Sequence, residues 1–307
     1  MNFYVGITDK NWFEHHKSTQ ADEVNYWLPG GNTGFKAISE GDLFLFKLHK
    51  RNSGKIVGGG FFVSFSFLPI FLAWEAFGTK NGVDSLQDLE NRIRHYRTKN
   101  NRPLENPQIG CIIINEPFFF DEKDWIEPPK DWSDHIVQGK GYSSDQQIGK
   151  HLLEEVQERL SGKNSQPSLR DSARIRYSFI NTKHRMGQGA FKIVVADAYK
   201  RSCAFSGERT LPILEAAHIK PYSKGGEHAV ENGILLRSDI HILFDKGYLT
   251  VDDDYRIEVS NRLNADYGNG IMYYQMHGQD LRVLPTRLEL RPSTNNLKWH
   301  NENVFLC

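Results

Sequence analysis

The longest apolar stretch in the first half of the chain covers residues 56–73. Within it Phe61, Val63, Phe65 and Phe67 alternate with other residues, which is the period of a β-strand. Three glycines, two serines and a proline in the same stretch disfavour a membrane helix. The pattern therefore predicts a buried strand that ends in a turn.

The second half of the chain shows helical and strand periods in close succession. Apolar positions recur at helical spacing over residues 148–160 and 191–198. Residues 214–219 then have the character of a strand, a loop with two adjacent glycines follows, and residues 233–237 form a predicted returning strand. A helix is predicted to begin at Ser238, whose hydroxyl can cap free backbone N–H groups.

A chain of 307 residues is long enough for two domains. Residues 161–168 are polar, contain Gly and Pro and lack apolar periodicity, which is typical of a linker. We predict an α+β protein with a first domain at residues 1–145, a helix and linker at 146–169, and a second domain at 170–307.

Three polar residues of the second domain lie on the predicted strand–loop–strand–helix segment. His218 ends the first strand, Asn232 precedes the second, and His241 lies on the helix four residues before Asp245, so the last two share one helix face. An imidazole that faces a second imidazole and a carboxylate is an arrangement found in hydrolytic sites. One group takes a proton from water while a bound cation stabilises charge on a phosphate.

The same segment closely resembles the HNH motif of metal-dependent nucleases, the ββα-metal fold. The resemblance includes Ile219 and Pro221 after the first histidine, the Asn-Gly pair, and the Phe-Asp pair after the last histidine. It implies that His218 is the general base, that Asn232 braces the loop that orients it, and that His241 binds a divalent metal ion, Mg²⁺ or Mn²⁺.

The sequence departs from the common HNH pattern immediately before the proposed base. Many members have an aspartate or histidine there as a metal ligand, and this chain has Ala217. Side chains alternate along a strand, so Glu215 shares a face with Ala217 and could reach the same cation. Asp245 is the other candidate, and the sequence does not choose between Glu215 and Asp245.

Charge is balanced over the whole chain but not around the motif. The chain has 38 basic and 38 acidic residues, whereas residues 172–224 hold ten Lys or Arg against three Asp or Glu. Such a local excess attracts phosphates. We expect Arg185, Lys220 and Lys224 to contact a DNA backbone. Residues 185–191 also resemble the lead-in of one HNH subfamily.

The first domain is rich in aromatic residues, and its segments resemble in order those of an EVE domain, a member of the PUA superfamily that is related to the YTH and SRA readers of modified bases. The matching segments include Val24–Pro29, Gly41–Phe46 and Ala73–Gly78. The resemblance implies a PUA-like β-barrel that holds a base swung out of the duplex. Aromatic faces stack on such a base and polar groups test its edge. The predicted pocket residues are Trp27, Trp74, Tyr26, Trp12 and Asn25.

Together the two resemblances imply a modification-dependent, type IV restriction endonuclease. It would flip and read 5-methylcytosine or 5-hydroxymethylcytosine in double-stranded DNA, and cut nearby as a homodimer in the bacterial cytoplasm. The start of the chain lacks a secretory signal pattern, and three widely spaced cysteines support neither a zinc knuckle nor a disulfide framework. Two alternatives stay open: a modified-base reader whose HNH unit is an inactive scaffold, and a nuclease that acts on RNA.

Overall fold

The structure of the chain, a computed structural model, describes residues 1–31, 34–99, 107–161 and 186–307. It divides into two compact units, Met1–Arg185 and Met186–Cys307. Residues 162–168 of the predicted linker lie outside the described residues, and so does Arg185.

A single six-stranded sheet forms the framework of the first unit. Its strands, in chain order, are β1 (Asn2–Thr8), β2 (Glu23–Leu28), β3 (Leu43–Leu48), β4 (Ile56–Pro69), β5 (Gln108–Phe119) and β6 (Gly139–Ser143). They lie in the spatial order β2-β5-β4-β3-β1-β6. The β1–β3 pair is parallel and the other neighbours are antiparallel.

Strand β3 shows how the sheet separates two apolar cores, because its six residues are all buried. Leu43 and Leu45 pack into one core, while Phe44, Phe46 and Leu48 pack into the other. Alternation along a strand sends successive side chains to opposite faces, so a strand buried on both faces has a continuous apolar run.

Four helices accompany this sheet in the described residues. They are α1 (Lys10–Thr19), α2 (Ile70–Phe77), α3 (Leu86–Lys99) and α4 (Gln147–Ser161). The helix predicted at residues 148–160 is confirmed as α4. Its buried residues Leu152 and Val156 belong to the core that also contains Phe3 and Val5, so α4 packs on the first unit.

Two expectations for the first unit require correction. No pairing between described residues joins the edge strands β2 and β6, so the sheet is not closed into the predicted barrel. The Phe-rich strand is confirmed as β4, but helix α2 follows it directly where a turn was predicted. Two shifts of pairing register, between Gly59 and Phe61 and between Phe62 and Ser64, also interrupt its alternation.

The second unit is built around an antiparallel pair of strands, β7 (Leu214–His218) and β8 (Gly233–Arg237). Helix α5 (Gln188–Ala198) precedes the pair and α6 (Ser238–Asp245) follows it without a gap. The remaining elements are β9 (Leu249–Val251), β10 (Ile257–Val259), α7 (Arg262–Tyr267), α8 (Ile271–Tyr274) and α9 (Thr294–Asn303). The predicted helix at 191–198 and both predicted strands are confirmed.

Close packing of α5 on the strand pair depends on a glycine at the start of β8. A Cβ atom added to Gly233 would lie 2.5 Å from Val195 and 3.0 Å from the Phe191 ring. In the same unit, His300 of α9 is buried and stacks on the ring of Phe244 at 3.9 Å. These contacts fix α5 and α9 against the strands and helix that carry the motif.

Ser238 does not cap helix α6. Its hydroxyl donates to the carbonyl oxygen of Ile213 at 3.0 Å, and Arg237 occupies the capping position without a side-chain hydrogen bond to the helix. The helix starts directly from the end of β8, which leaves no separate capping residue. No helix in the described residues has the length and apolar character needed to cross a membrane.

Candidate active site

The three residues of the predicted motif occupy one strand–loop–strand–helix segment of the second unit. His218 is the last residue of β7 and pairs with Gly233, the first residue of β8. Asn232 immediately precedes β8, and His241 lies in the middle of α6. The order of elements is the β-β-α arrangement expected from the sequence.

Asn232 holds the loop between the two strands through its side chain. Its Oδ1 accepts a hydrogen bond from the backbone N–H of Lys220, and its Nδ2 donates to the carbonyl oxygens of Lys220 and Glu227, each at 2.9 Å. The residue is 2% exposed. Gly226 is needed for this closure because a Cβ there would lie 1.9 Å from the Lys220 carbonyl oxygen. Asn232 thus fixes the backbone two residues after His218.

His218 is held between an aromatic ring and a second imidazole. Its ring stacks on that of Phe191 with centroids 4.0 Å apart and an interplanar angle of 9°. Its Nε2 lies 2.9 Å from Nδ1 of His228. Partial burial, and then the nearby His228 and His241, lower the pKa of His218 to about 4. The imidazole is therefore neutral at neutral pH, which is the state in which it can accept a proton.

The ring of His228 is itself covered by an aromatic side chain. Tyr222 stacks on it with centroids 4.8 Å apart and an interplanar angle of 15°. Both histidines thus have one face against an aromatic ring, and their rings meet edge to face at 4.9 Å. Stacking restricts rotation of each imidazole, so the nitrogen–nitrogen contact has a fixed direction.

His241 has a carboxylate on each of its ring nitrogens. Nδ1 lies 2.5 Å from Oε2 of Glu215 on β7, and Nε2 lies 3.3 Å from Oδ2 of Asp245 on the same helix. Desolvation raises the pKa of Asp245, and the Glu215 carboxylate raises it further, while His241 opposes the rise. Both carboxylates that the sequence left open are therefore in contact with His241.

The chemistry of these donors fits a hard divalent cation, for which carboxylate oxygens and imidazole are common ligands. In the described residues no group of three or more His, Cys, Asp or Glu side chains could hold a metal ion. The two nitrogens of one imidazole point away from each other. A cation bound to His241 would therefore share Glu215 or Asp245 with it, and water would complete the shell, as is usual for Mg²⁺.

The Glu215–His241 contact must also open for a cation to enter between the two side chains. His241 Nδ1 and Glu215 Oε2 are in direct contact at 2.5 Å, so these two atoms would have to separate to hold one cation between them. Ala217, at the position that departs from the HNH pattern, is 1% exposed and packs in the core of the unit. It supplies no donor atom.

The predicted DNA-backbone residues differ in their surroundings. The ammonium group of Lys220 lies 5.6 Å from the centroid of the Trp299 ring, and Lys224 is exposed on the loop. Arg185 lies outside the described residues. Two lysines thus stand on the loop that Asn232 braces, and the structure brings together His218, Asn232, His241, Glu215 and Asp245 on one segment.

Three of the five predicted base-pocket residues lie in the interior of the first unit. Trp12 is 3% exposed and Tyr26 is 7% exposed, and both belong to one apolar core. The Tyr26 hydroxyl donates to the carbonyl oxygen of Ile7. Asn25 is fully buried, and its Nδ2 donates to Oδ1 of Asn81 at 2.8 Å. These side chains are packed against protein and present no open surface to a base.

Trp27 and Trp74 are the two predicted pocket residues that remain partly accessible. The Trp27 indole N–H donates to the carbonyl oxygen of Asn81 at 2.9 Å, and its ring meets that of Tyr96 edge to face at 5.9 Å. Trp74 lies on α2. The orientation of the Trp27 ring is thus fixed by a hydrogen bond to the segment that follows α2.

The sequence interpretation missed Phe191 and His228 as neighbours of His218, and Tyr222 as the ring that covers His228. The sequence pattern assigns Phe191 only to the apolar face of a helix. A usable signal was present, since His228 follows the glycine pair in the same loop as Lys220 and Lys224. Which loop residue reaches His218 depends on how the loop folds back, and spacing alone does not reveal it.

Comparison with known proteins agrees with this geometry over the motif. Residues 203–252 match the family model described as HNH endonuclease. No curated protein matches the chain. A solved structure titled "Modification dependent TagI restriction endonuclease" is similar with 13% identity and a TM-score of 0.27, covering 92% of this chain and 76% of that chain. No conclusion about this chain is drawn from a similarity at that TM-score. The HNH match, which spans all three motif residues, supports a nuclease.

Proposed function

We propose that the chain is a modification-dependent DNA endonuclease whose second unit hydrolyses phosphodiesters at the site around His218 and His241. The observation that carries the proposal is the strand–helix arrangement in which His218 ends β7 and His241, on the helix that follows β8, contacts the carboxylates of Glu215 and Asp245. A base and a ligand set on one rigid segment are the two parts that metal-assisted phosphodiester hydrolysis requires.

In this proposal His218 takes a proton from the water that attacks phosphorus. Its lowered pKa keeps the imidazole unprotonated at neutral pH, and the Phe191 stack and the loop closure by Asn232 hold it in place. His241 would hold Mg²⁺ or Mn²⁺ together with Glu215 or Asp245. When bound, such a cation neutralises negative charge on the phosphate. Lys220 and Lys224 supply positive charge to the DNA backbone beside the site.

For the first unit we propose a reader of modified cytosine, 5-methylcytosine or 5-hydroxymethylcytosine. Its support is the order of segments that resembles an EVE domain and the aromatic residues they carry. Trp27 and Trp74 are the proposed stacking surfaces, because they are partly accessible whereas Trp12 and Tyr26 are buried. A flipped base needs exposed aromatic faces, and stacking on them stabilises an extruded base by about 1–3 kcal/mol.

The biological role that follows is restriction of foreign DNA that carries the modification, in the cytoplasm of a bacterium whose own DNA lacks it. A single HNH site cuts one strand, so we propose that a homodimer makes the double-strand break. Sedimentation of the protein with and without DNA tests the dimer, and a monomer under both conditions would contradict it.

Two observations favour a second candidate, a reader of modified bases whose HNH unit is an inactive scaffold. Ala217 is buried and supplies no ligand, and the described residues hold no ready three-residue metal cluster. This candidate predicts selective binding of modified DNA without cleavage in any divalent metal.

Matched DNA duplexes test the proposal and its rivals together. Unmodified, 5-methylated and 5-hydroxymethylated duplexes, and an RNA of the same sequence, are incubated with the protein and Mg²⁺ or Mn²⁺. Cutting confined to modified DNA is the expected result. Cutting of all DNA duplexes alike would keep the nuclease and remove the reader, and cutting of RNA alone would assign the site to RNA.

A further inference from the structure

We propose that His228 is a positioning residue for His218: it accepts a hydrogen bond from Nε2–H of His218, and thereby leaves Nδ1 of His218 as the atom that takes the proton from water. The inference rests on the nuclease function proposed above and deepens it. It assigns a role to a side chain outside the His-Asn-His pattern, and it specifies which tautomer of His218 is active.

Each of the two imidazoles in contact is held by a stacked aromatic ring. Nε2 of His218 and Nδ1 of His228 are 2.9 Å apart, with the ring planes at 63°. The face of His218 is covered by Phe191 and the face of His228 by Tyr222. Because each ring is stacked, the two nitrogens meet in one orientation.

The chemistry of imidazole restricts the direction of this hydrogen bond. A neutral imidazole has one N–H and one nitrogen lone pair, so a contact between two ring nitrogens needs the proton on one of them. If His228 donated from Nδ1, the remaining proton of His218 would be on its Nδ1, and no acceptor atom would be left for water. If His218 donates from Nε2, its Nδ1 is free to act as a base.

The proton transfer balances in this second arrangement. Nδ1 of His218 gains the proton that the attacking water loses, and the product is an imidazolium that still donates from Nε2 to His228. His228 therefore orients the base before the reaction and keeps the same hydrogen bond to it afterwards, without touching the substrate.

Two substitutions separate hydrogen-bond acceptance from packing. His228→Phe keeps a ring against Tyr222 but cannot accept, while the side-chain oxygen of His228→Asn can accept near the position of Nδ1. Under single-turnover conditions on cleavable DNA, we expect His228→Phe to lower the rate about 10- to 100-fold with unchanged DNA affinity, as for other groups that orient a functional histidine. We expect His228→Asn to keep most of the rate. His151→Phe, an exposed histidine on α4, is the matched control and should cleave normally.

The tautomer of His218 gives a second readout that does not depend on cleavage. Nitrogen-15 NMR of histidine-labelled protein, with His218 assigned by the His218→Ala variant, should show a protonated Nε2 and an unprotonated Nδ1 at neutral pH. A protonated Nδ1 would overturn the proposal. So would full activity in His228→Phe, or equal losses in His228→Phe and His228→Asn, since the latter indicates a role in packing alone.

The same experiments distinguish failure of this inference from failure of the proposed nuclease. Cleavage that persists in His218→Ala would reject His218 as the base, and a native protein that cuts no substrate would reject the nuclease assignment. The NMR measurement would still determine whether His228 accepts from His218. Normal loss of cleavage in His218→Ala together with full activity in His228→Phe would reject only the role of His228.

Discussion

Replacing Asn232 with alanine should release the loop that positions His218. The substitution removes the three hydrogen bonds that its amide makes to the backbone of Lys220 and Glu227. A hydrogen bond contributes about 1 kcal/mol net, and a buried partner left unsatisfied costs about 1–3 kcal/mol. Because water can reach part of this exposed loop, we expect a loss of about 2–4 kcal/mol in the free energy of unfolding of the second unit.

The assay combines denaturant unfolding with hydrogen exchange of the loop. In the native protein the Lys220 amide is held by Asn232, so its exchange should accelerate strongly in Asn232→Ala. Residues 218–232 should lose more protection from exchange than strands β9 and β10. The control is Asn303→Ala, which removes a bond from an exposed side chain to the carbonyl of Trp299 and should change stability by less than about 0.5 kcal/mol.

A specific result would refute this reasoning. If Asn232→Ala unfolds within about 0.5 kcal/mol of the native protein, with normal exchange at Lys220, the amide does not brace the loop. We also expect DNA cleavage to fall, because the His218 ring is set by the backbone that Asn232 fixes. A normal cleavage rate in a variant with a destabilised loop would separate the fold of the loop from the position of the base.

Three further predictions concern other parts of the molecule. His16 is fully buried without a hydrogen-bond partner in the described residues, and burial, aided by His15, lowers its pKa to about 3. Between about pH 6.5 and pH 3 only the unfolded state protonates His16, so the contribution of neutral His16 to the free energy of unfolding is complete above pH 6.5 and is lost as the pH falls toward 3. From pH 7 to 5.5 the free energy of unfolding of the native protein should therefore fall by about 1 kcal/mol more than that of His16→Phe. An equal loss in both proteins would contradict this. Gly233→Ala should displace Val195 and Phe191 and destabilise the unit by about 1–3 kcal/mol in thermal unfolding, whereas Gly141→Ala, in open space, should not; equal melting temperatures would refute it. Of Glu215→Ala and Asp245→Ala, the variant that removes the carboxylate ligand should weaken Mn²⁺ binding in calorimetry about tenfold or more and the other should change it less; native affinity in both variants would contradict a cation shared with His241.

The strand–loop–strand–helix segment could be predicted because its signals are local. The apolar runs, the glycine pair and the spacing of His218, Asn232 and His241 all lie within about thirty residues. Periodicity reads such local patterns directly. The predicted cap at Ser238 was wrong because its hydroxyl donates to the carbonyl oxygen of Ile213, in the turn before β7, a contact that the local sequence does not indicate.

The parts that escaped prediction depend on contacts between distant residues. Closure of a barrel requires the edge strands β2 and β6 to pair, and nothing in either strand alone determines that. The pattern of apolar residues does not show whether Trp12 and Tyr26 are buried or line a pocket. In the fold their rings pack against those of Phe46 and Phe44 inside a core. The contact between His218 and His228 likewise arises only when the loop folds back on the strand.

The most direct test of the account is the single-turnover cleavage rate of His218→Ala compared with that of the native protein. Both are measured on DNA carrying 5-methylcytosine or 5-hydroxymethylcytosine in Mg²⁺ and in Mn²⁺, with thermal unfolding as the control for folding. We expect His218→Ala to fold normally and to cut at least about 100-fold more slowly, the usual contribution of a general base. Equal cutting by the two proteins would contradict the assignment of His218 and with it the proposed site.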